Sequence, residues 1–502
     1  MFSRSFISLL AFSLATIASR PTSADIYFTE EKTEEGHKWT YRLTVTPAAA
    51  STPLLKYRLL QPEVEKKSGN CVPFILKALN ESQQAWRDHK PLLFRRPDGR
   101  DASDLFEGLA NRDLGKPALR EIVETLPFDR MLAQLQEASL RSECDWQFEL
   151  HDMTGVEIIN FTLEDHQESR QLTRFITLLA CHQIATRDYD TALETIKLHT
   201  EFALSMSKPE LLVCRLIGIA ELNMMNEQIV RLMASPLSPN LYWPLTELPQ
   251  PPVPMRDAIR FDLSLGLRSF PVLQAPEAQQ YDAARWRLEF QKFREDLGKF
   301  QELLGNNDEP LRVALQKLID TDQMADVYPA AKRRLETKNV PAWDLSVMPP
   351  EQAILVDASQ EYHRVLDDVT TWSTLPFPEL VKHADWNKGK TDNRPSNLDS
   401  YGALLAQVAL PALKAVRKAE ARLVRDIAAM RLIEALRMHA AETGQFPEIL
   451  EKVKCVPVPE NPSTGEPFVY RLEGKDAILD LPFSDGHTVA KTYRLQLMGG
   501  GK

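Results

Sequence analysis

The segment "SMSK", Ser205 to Lys208, places a lysine three residues after a serine. That is one helical turn, the spacing with which a lysine takes a serine proton in serine acyl enzymes. The SDN and KTG segments that accompany this chemistry are absent from the chain, so the match is a short pattern and catalysis is not expected from it. His182 and His199 flank the apolar stripes of two neighbouring helical segments, and with Cys181 they are the one set that could converge on a metal. The ten histidines otherwise scatter, with no HExxH and no paired cysteines at zinc spacing, and a histidine on a helix flank is more often a satisfied core residue. The acid pairs Glu164/Asp165 and Asp367/Asp368 could serve acid and base chemistry, but adjacent acids on a helix do not face one another and read as solvated surface. With 19 glycines and no GxSxG, Walker loop or GxGxxG, a tight phosphate cradle has little material. No catalytic, cofactor-binding or metal-binding residue is assigned, and no cofactor is expected.

These groups must be carried by elements that are mostly helical. From Asp25 to about Thr46 the alternating Trp39, Tyr41, Leu43 and Val45 predict a small strand, followed by an alanine and proline linker to residue 54. Residues 55–235 read as a helical domain. Within it Leu172, Phe175, Ile176 and Leu179 predict one helix and Ala192, Leu193, Ile196, Ala203 and Leu204 a second, antiparallel to it, across a "TRDYD" turn with an Asp cap. Pro209 is expected to open a third, "ELLVCRLIGIAELNMM", apolar on nearly every face. "DYDTALETIKL" looks like the second half of one tetratricopeptide unit, and a stable array needs about three. Seven prolines between Pro236 and Pro254 predict an irregular connection, with Tyr242 and Trp243 pinning it onto the core.

A second helical region, 255–400, precedes a long helix from Tyr401 and a C-terminal module to residue 502. On the long helix Leu413, Val416, Leu423, Ile427 and Met430 form one face, and Lys418, Arg422 and Arg425 are expected on a wet opposite side. Gly444 stops it and Pro447 blocks continuation. Phe468, Tyr470 and Leu472, the turn "EGKD", then Ala477, Leu479 and Leu481 predict a β-hairpin. The fold class is thus mainly α: helical hairpins in an array or bundle, with a small N-terminal strand region and a C-terminal hairpin.

The segments "LKYRLLQPEVEKKSGNCVPF", "RDYDTALETIKL", "SPNLYWPLTELPQP" and "RLIEALRMHAAETGQFPEIL" through "NPSTGEPFVYRLEGKDAILDLP" together resemble a family of secreted, mostly helical proteins abundant in planctomycete bacteria. The resemblance covers most of the chain from about Leu55 to Pro482 and implies fold and export, not chemistry. Arg431 to His439, "GQFP" and "NPSTGEPFVY" also look like the end of type II secretion pseudopilins, where a long helix leads through a loop to a short sheet. Those proteins begin with the filament-forming helix, whereas the similar segment here follows some four hundred residues. Some pseudopilins bind calcium there, but Asn461 replaces the usual acid, and Asp480 and Asp485 alone are too few for six to eight oxygens.

The first 24 residues carry Arg4, an apolar run from Phe6 to Ala18, and small Thr22 and Ala24 before Asp25. The run is too short to span a bilayer and reads as a signal peptide, so the mature chain is expected to begin at Asp25 and to reside in a periplasm or outside the cell, without a transmembrane segment. The formal charge of −10 leaves no basic stripe for a phosphate backbone and argues against nucleic acid. Five cysteines form no CxxC pair, and Cys181 with Cys214 is the expected bridge, if one exists. The leading expectation is an exported binding or scaffolding protein of the cell envelope, its partner a protein or another envelope component. The alternatives are a hydrolase or metal-dependent enzyme whose site is assembled only in the fold, and a secretion-related assembly component.

Overall fold

The computed structural model describes residues 26–33, 36–93, 120, 123–155, 158, 161–303, 309–320, 323–338, 342–382, 400–482 and 490–498. The expected leader and Asp485 lie outside the described residues. The strands are β1 (Ile26–Thr33), β2 (Gly36–Val45), β3 (Lys67–Asn70), β4 (Arg141–Glu143), β5 (Glu460–Asn461), β6 (Glu466–Pro467), β7 (Val469–Glu473), β8 (Asp476–Leu481) and β9 (Ala490–Leu497). The expected C-terminal hairpin is β7–β8, turning at Gly474, whose positive φ of 66° suits glycine. It is not a separate module. β8 pairs antiparallel with β9, and β9 pairs in parallel with β2, giving a five-stranded sheet in the order β1-β2-β9-β8-β7 that brings together strands from near both ends of the sequence. The join has a sequence signature: "TYRL" at 40–43 recurs at 492–495, and the two copies are register partners, Tyr41 opposite Tyr493 and Leu43 opposite Leu495. Leu43, Val45, Ala477, Leu479, Leu481, Tyr493 and Leu495 form the inner face, buried against the helices.

The helices are α1 (Val72–Leu93), α2 (Phe128–Ser139), α3 (Glu164–Ala185), α4 (Tyr189–Met206), α5 (Leu212–Met233), α6 (Tyr242–Glu247), α7 (Arg256–Ser269), α8 (Ala283–Leu303), α9 (Glu309–Asp320), α10 (Tyr328–Thr337), α11 (Ala342–Val347), α12 (Pro350–Ser373), α13 (Phe377–Leu380) and α14 (Tyr401–Thr443). The chain is mainly α, as its periodicity predicts. Asp188 caps α4, its Oδ1 accepting the Thr191 N–H, so α3 and α4 form the expected hairpin. The third helix starts later than Pro209 suggests: α5 opens at Leu212, whose free N–H donates to Asp262 Oδ1 of α7 at 3.0 Å. The proline-rich connection is also not wholly irregular, because Tyr242–Glu247 makes one and a half turns of helix. Tyr242 is buried and its hydroxyl donates to Pro457 O at 2.6 Å, so the aromatic pair does pin this segment to the core.

α14 spans 43 residues, about 65 Å, and ends at Gly444 in the left-handed region, as its sequence predicts. Its expected apolar face is buried, but the opposite side is not simply wet. Arg417, Glu420, Arg425, Glu434 and Arg437 are buried too, because α5, α6, α12 and the sheet's connections surround the helix. Arg437 is fully buried and pairs with Glu434 at 2.9 Å. Its remaining donors reach Thr46 O (3.0 Å), Ser238 O (2.8 Å), Ser238 Oγ (2.9 Å) and Pro239 O (3.4 Å). Near its start α14 crosses α12 so closely that a Cβ on Gly402 would lie 1.9 Å from Ala358 O.

Two substitutions test this frame. Arg437→Met should lower the unfolding free energy by about 3–5 kcal/mol by stranding the Glu434 carboxylate, and adding Glu434→Leu should restore a large part of it, read by denaturant midpoints. Gly402→Ala should cost about 1–3 kcal/mol by forcing α12 and α14 apart.

Candidate functional site

The groups singled out in the sequence do not converge on one site. α3 and α5 run parallel, with antiparallel α4 between them in sequence, so residues about 47 apart in number meet: Cys181 Sγ lies 2.7 Å from Gln228 Oε1. Cys214 sits fourteen positions (214 to 228) before that glutamine on α5, about 21 Å away along the axis. The expected Cys181–Cys214 bridge is therefore excluded by helix direction, which apolar spacing does not encode. His199 is buried, its Nε2 without a hydrogen-bond partner, and burial lowers its pKa to about 4. It is a neutral core residue at physiological pH. Among the described residues no three of His, Cys, Asp or Glu gather closely enough to hold a metal ion, so His182, His199 and Cys181 form no metal centre here.

The remaining acids are held by the fold. Asp368 pairs with Arg364 at 3.3 Å on an exposed helix face, and Glu164 and Asp165 occupy the first turn of α3, where the helix dipole favours negative charge. Asn461 is buried and closes a turn, accepting from the Ser463 N–H (3.0 Å) and hydroxyl (2.8 Å). Asp480 accepts from Thr492 Oγ1 at 2.6 Å and pairs with Arg471, so both have occupations other than cation binding.

"SMSK" lies where α4 ends. Ser205 Oγ donates back to Glu201 O at 2.8 Å, the usual local bond of a helical serine, and Lys208 lies exposed beyond the last turn. Among the described residues no hydrogen bond joins Ser205 to Lys208. What surrounds Ser205 is a cluster the sequence alone does not reveal. β3 and β4 pair in parallel and deliver Cys71 and Cys144 to the serine: Cys71 Sγ lies 3.9 Å from Ser205 Oγ and Cys144 Sγ 3.6 Å from Ser205 O, where Trp146 Nε1 also donates at 3.0 Å. Glu201, one turn earlier, accepts from the Gln61 N–H at 2.7 Å, with Lys66 at 4.0 Å. The Cys71 thiol titrates lower than usual, first because Cys144 donates to it and then because of Ser205; Cys144 is pushed up by holding that proton and by burial. Cys71 also ends the extended segment at the N-terminus of α1, a position that favours a thiolate. The one available sequence cue is that each cysteine closes a short basic-Ser segment, "KSGNC" and "RSEC".

The helix interior holds two further acids. Glu221 of α5 is buried, and neither of its carboxyl oxygens completes a hydrogen bond; burial raises its pKa to about 8, against a smaller pull from the neighbouring Ser169 and Thr173 hydroxyls and Arg170. Asp262, the cap of α5, is raised to about 7 by burial, opposed by the Leu212 N–H. No cavity borders the Glu221 carboxyl among the depressions described, which lie elsewhere: one of about 350 Å³ is an open furrow along the outer face of α8.

No family model, no curated protein and no solved structure matches the chain. No helix among the described residues is long and apolar enough to cross a membrane.

The buried acids set a pH dependence. The folded state keeps the Glu221 proton up to about pH 8, whereas the unfolded chain releases it near pH 4.5. The contribution of Glu221 is therefore full below pH 4.5, falls as pH rises between these values and levels off above them; Asp262 acts with the same sign up to about pH 7, whereas buried His199 acts with the opposite sign below pH 6.5. Glu221→Gln should remove about 3–5 kcal/mol of the decline between pH 5 and 8, read from urea unfolding across that range. An unchanged slope would show that this carboxyl does not titrate with folding.

Proposed function

We propose that the protein is an exported, helical binding or scaffolding protein of the cell envelope, acting through its surface on a protein or other envelope component. The observation that carries this reading is the fate of the polar groups with chemical potential. His199, Asn461, Asp480 and Tyr242 each serve packing, turns or cross-links between elements, while the outer face of α8 stays open. That face repeats Arg285, Leu288, Lys292 and Glu295 at helical spacing, with Glu289 paired to Arg285 at 2.5 Å and Leu288 55% exposed. Mixed charge around an exposed leucine suits a macromolecular partner better than a small molecule, which needs a concave, mostly apolar pocket. The leader-like N-terminus and the resemblance to secreted helical proteins support export. A cut after Ala24 also leaves the sheet intact, since β1 starts to pair at Ile26 opposite Leu43.

The secretion-assembly alternative draws support from one observation, the order of long helix, loop and antiparallel strands from α14 to β9. Against filament assembly, the N-terminal β1 and β2 complete the same sheet.

In the native host, the protein recovered from envelope or medium fractions should begin at Asp25 by N-terminal sequencing. A photo-crosslinking residue in place of Leu288 should capture an envelope component that the same residue in place of exposed Arg260 does not. A chain that keeps Met1 and stays in the cytoplasm would overturn the export reading, and equal crosslinking at both positions would overturn the binding face.

A further inference from the structure

The corner where β3, β4 and the end of α4 meet brings two cysteines into register. Asn70 and Glu143, the last residues of β3 and β4, are partners in the parallel ladder, so Cys71 and Cys144, the first residues past the two strand ends, are neighbours. The Cys71 N–H donates to Glu143 O at 2.8 Å. Asn70 clamps the same point, its Nδ2 donating to Asp145 O at 2.6 Å and its Oδ1 accepting from the Asp145 N–H at 2.9 Å. Opposed positions on paired strands lie about 5 Å apart, inside the ~4.4–6.8 Å Cα separation that a disulfide spans. The side chains turn the same way, since both sulfurs meet Ser205 and each interacts with the other. Access is graded: Cys71 is buried and Cys144 half-buried. The other cysteines have different surroundings, Cys181 against Gln228, Cys455 against Ala435 O, and Cys214 buried near the N-terminus of α5.

We propose that Cys71 and Cys144, both thiols in this structure, close into a disulfide that staples the start of α1 to the end of β4 by exchange with a small-molecule or protein disulfide. Cys71 gives its proton to solvent, and half-buried Cys144 attacks the incoming RS–SR as its own proton passes to the Cys71 thiolate that accepts its hydrogen bond, forming a mixed disulfide and releasing RS⁻. Cys71 then loses that proton to solvent, its thiolate attacks Cys144 Sγ and expels the second RS⁻, and the two leaving thiolates take up the two released protons. Two protein thiols and one RS–SR become one protein disulfide and two RSH. Closure inside a cell rests on the export reading, which supplies an oxidising compartment; the placement of the sulfurs does not.

The test uses the full chain with oxidised glutathione as the probe, followed by acid quench, alkylation and peptide mass mapping. A Cys71–Cys144 linked peptide pair is expected, with its unfolding equilibrium constant about 30- to 1000-fold smaller than that of the reduced chain. Cys71→Ser should trap glutathione on Cys144, while Cys144→Ser should leave Cys71 largely unmodified because it is buried. Both variants should keep the circular dichroism spectrum of the parent chain. Persistence of both free thiols in the folded parent chain, or glutathione adducts without the internal link, would overturn the proposal. A link that forms in the tube but is absent from protein isolated from the host would leave the pairing standing and count against export.

Discussion

The guanidinium of Arg437 is the interaction on which the architecture depends. It is fully buried, and its donors are shared among the Glu434 carboxylate, the Ser238 hydroxyl and three carbonyls, those of Thr46, Ser238 and Pro239. Thr46 follows the last residue of β2, and Ser238 and Pro239 belong to the proline-rich connection. These stretches of irregular backbone are brought inside the protein, where a carbonyl without a donor costs about as much as a lost hydrogen bond. A lysine could not replace this group, because its single ammonium lacks the planar fork that reaches several acceptors in fixed directions. Asn240 extends the network, with Nδ2 donating to Ala48 O and Glu434 O and Oδ1 accepting the Tyr242 N–H.

This network couples elements far apart in sequence. Thr46, Ser238 and Arg437 come from the first, middle and last parts of the chain, and the parallel pairing of β2 with β9 closes the two ends onto each other. Contacts of such sequence separation form late and must be reached through loop-closure entropy. The sheet and the long helix therefore depend on each other: β2 ends at the Arg437 network, while the inner faces of β2, β8 and β9 pack on the core that α14 shares with α4, α5 and α6.

The chemistry of the interior follows from the same packing. Glu221 and Asp262 are held near neutral-range pKa values by burial, and His199 is held neutral by it. Perturbed titration often marks active sites, but it also arises wherever helices trap a polar side chain, and here it fits a structural cost. The thiol corner differs in being half open and in joining two nucleophilic groups.

The sequence by itself determined what depends on neighbours along the chain. The apolar period of α3 and α4, the Asp188 cap, the Gly444 stop, the β7–β8 hairpin and the burial of Tyr242 were all legible, because capping, turn conformation and helical spacing act over a few residues. The two "TYRL" segments gain a meaning only from the parallel register that sets them opposite each other, which nothing local in either segment encodes. Tertiary structure alone decided which groups face each other. The parallel run of α3 and α5 separates Cys181 from Cys214, and β3 beside β4 unites Cys71 with Cys144 across more than seventy residues of chain. It also decided that charged residues of α14 are buried, since a helix's wet side is fixed by what packs around it. Helix direction and sheet order follow from the balance of burial over the whole chain, and that balance leaves no local trace in composition or spacing.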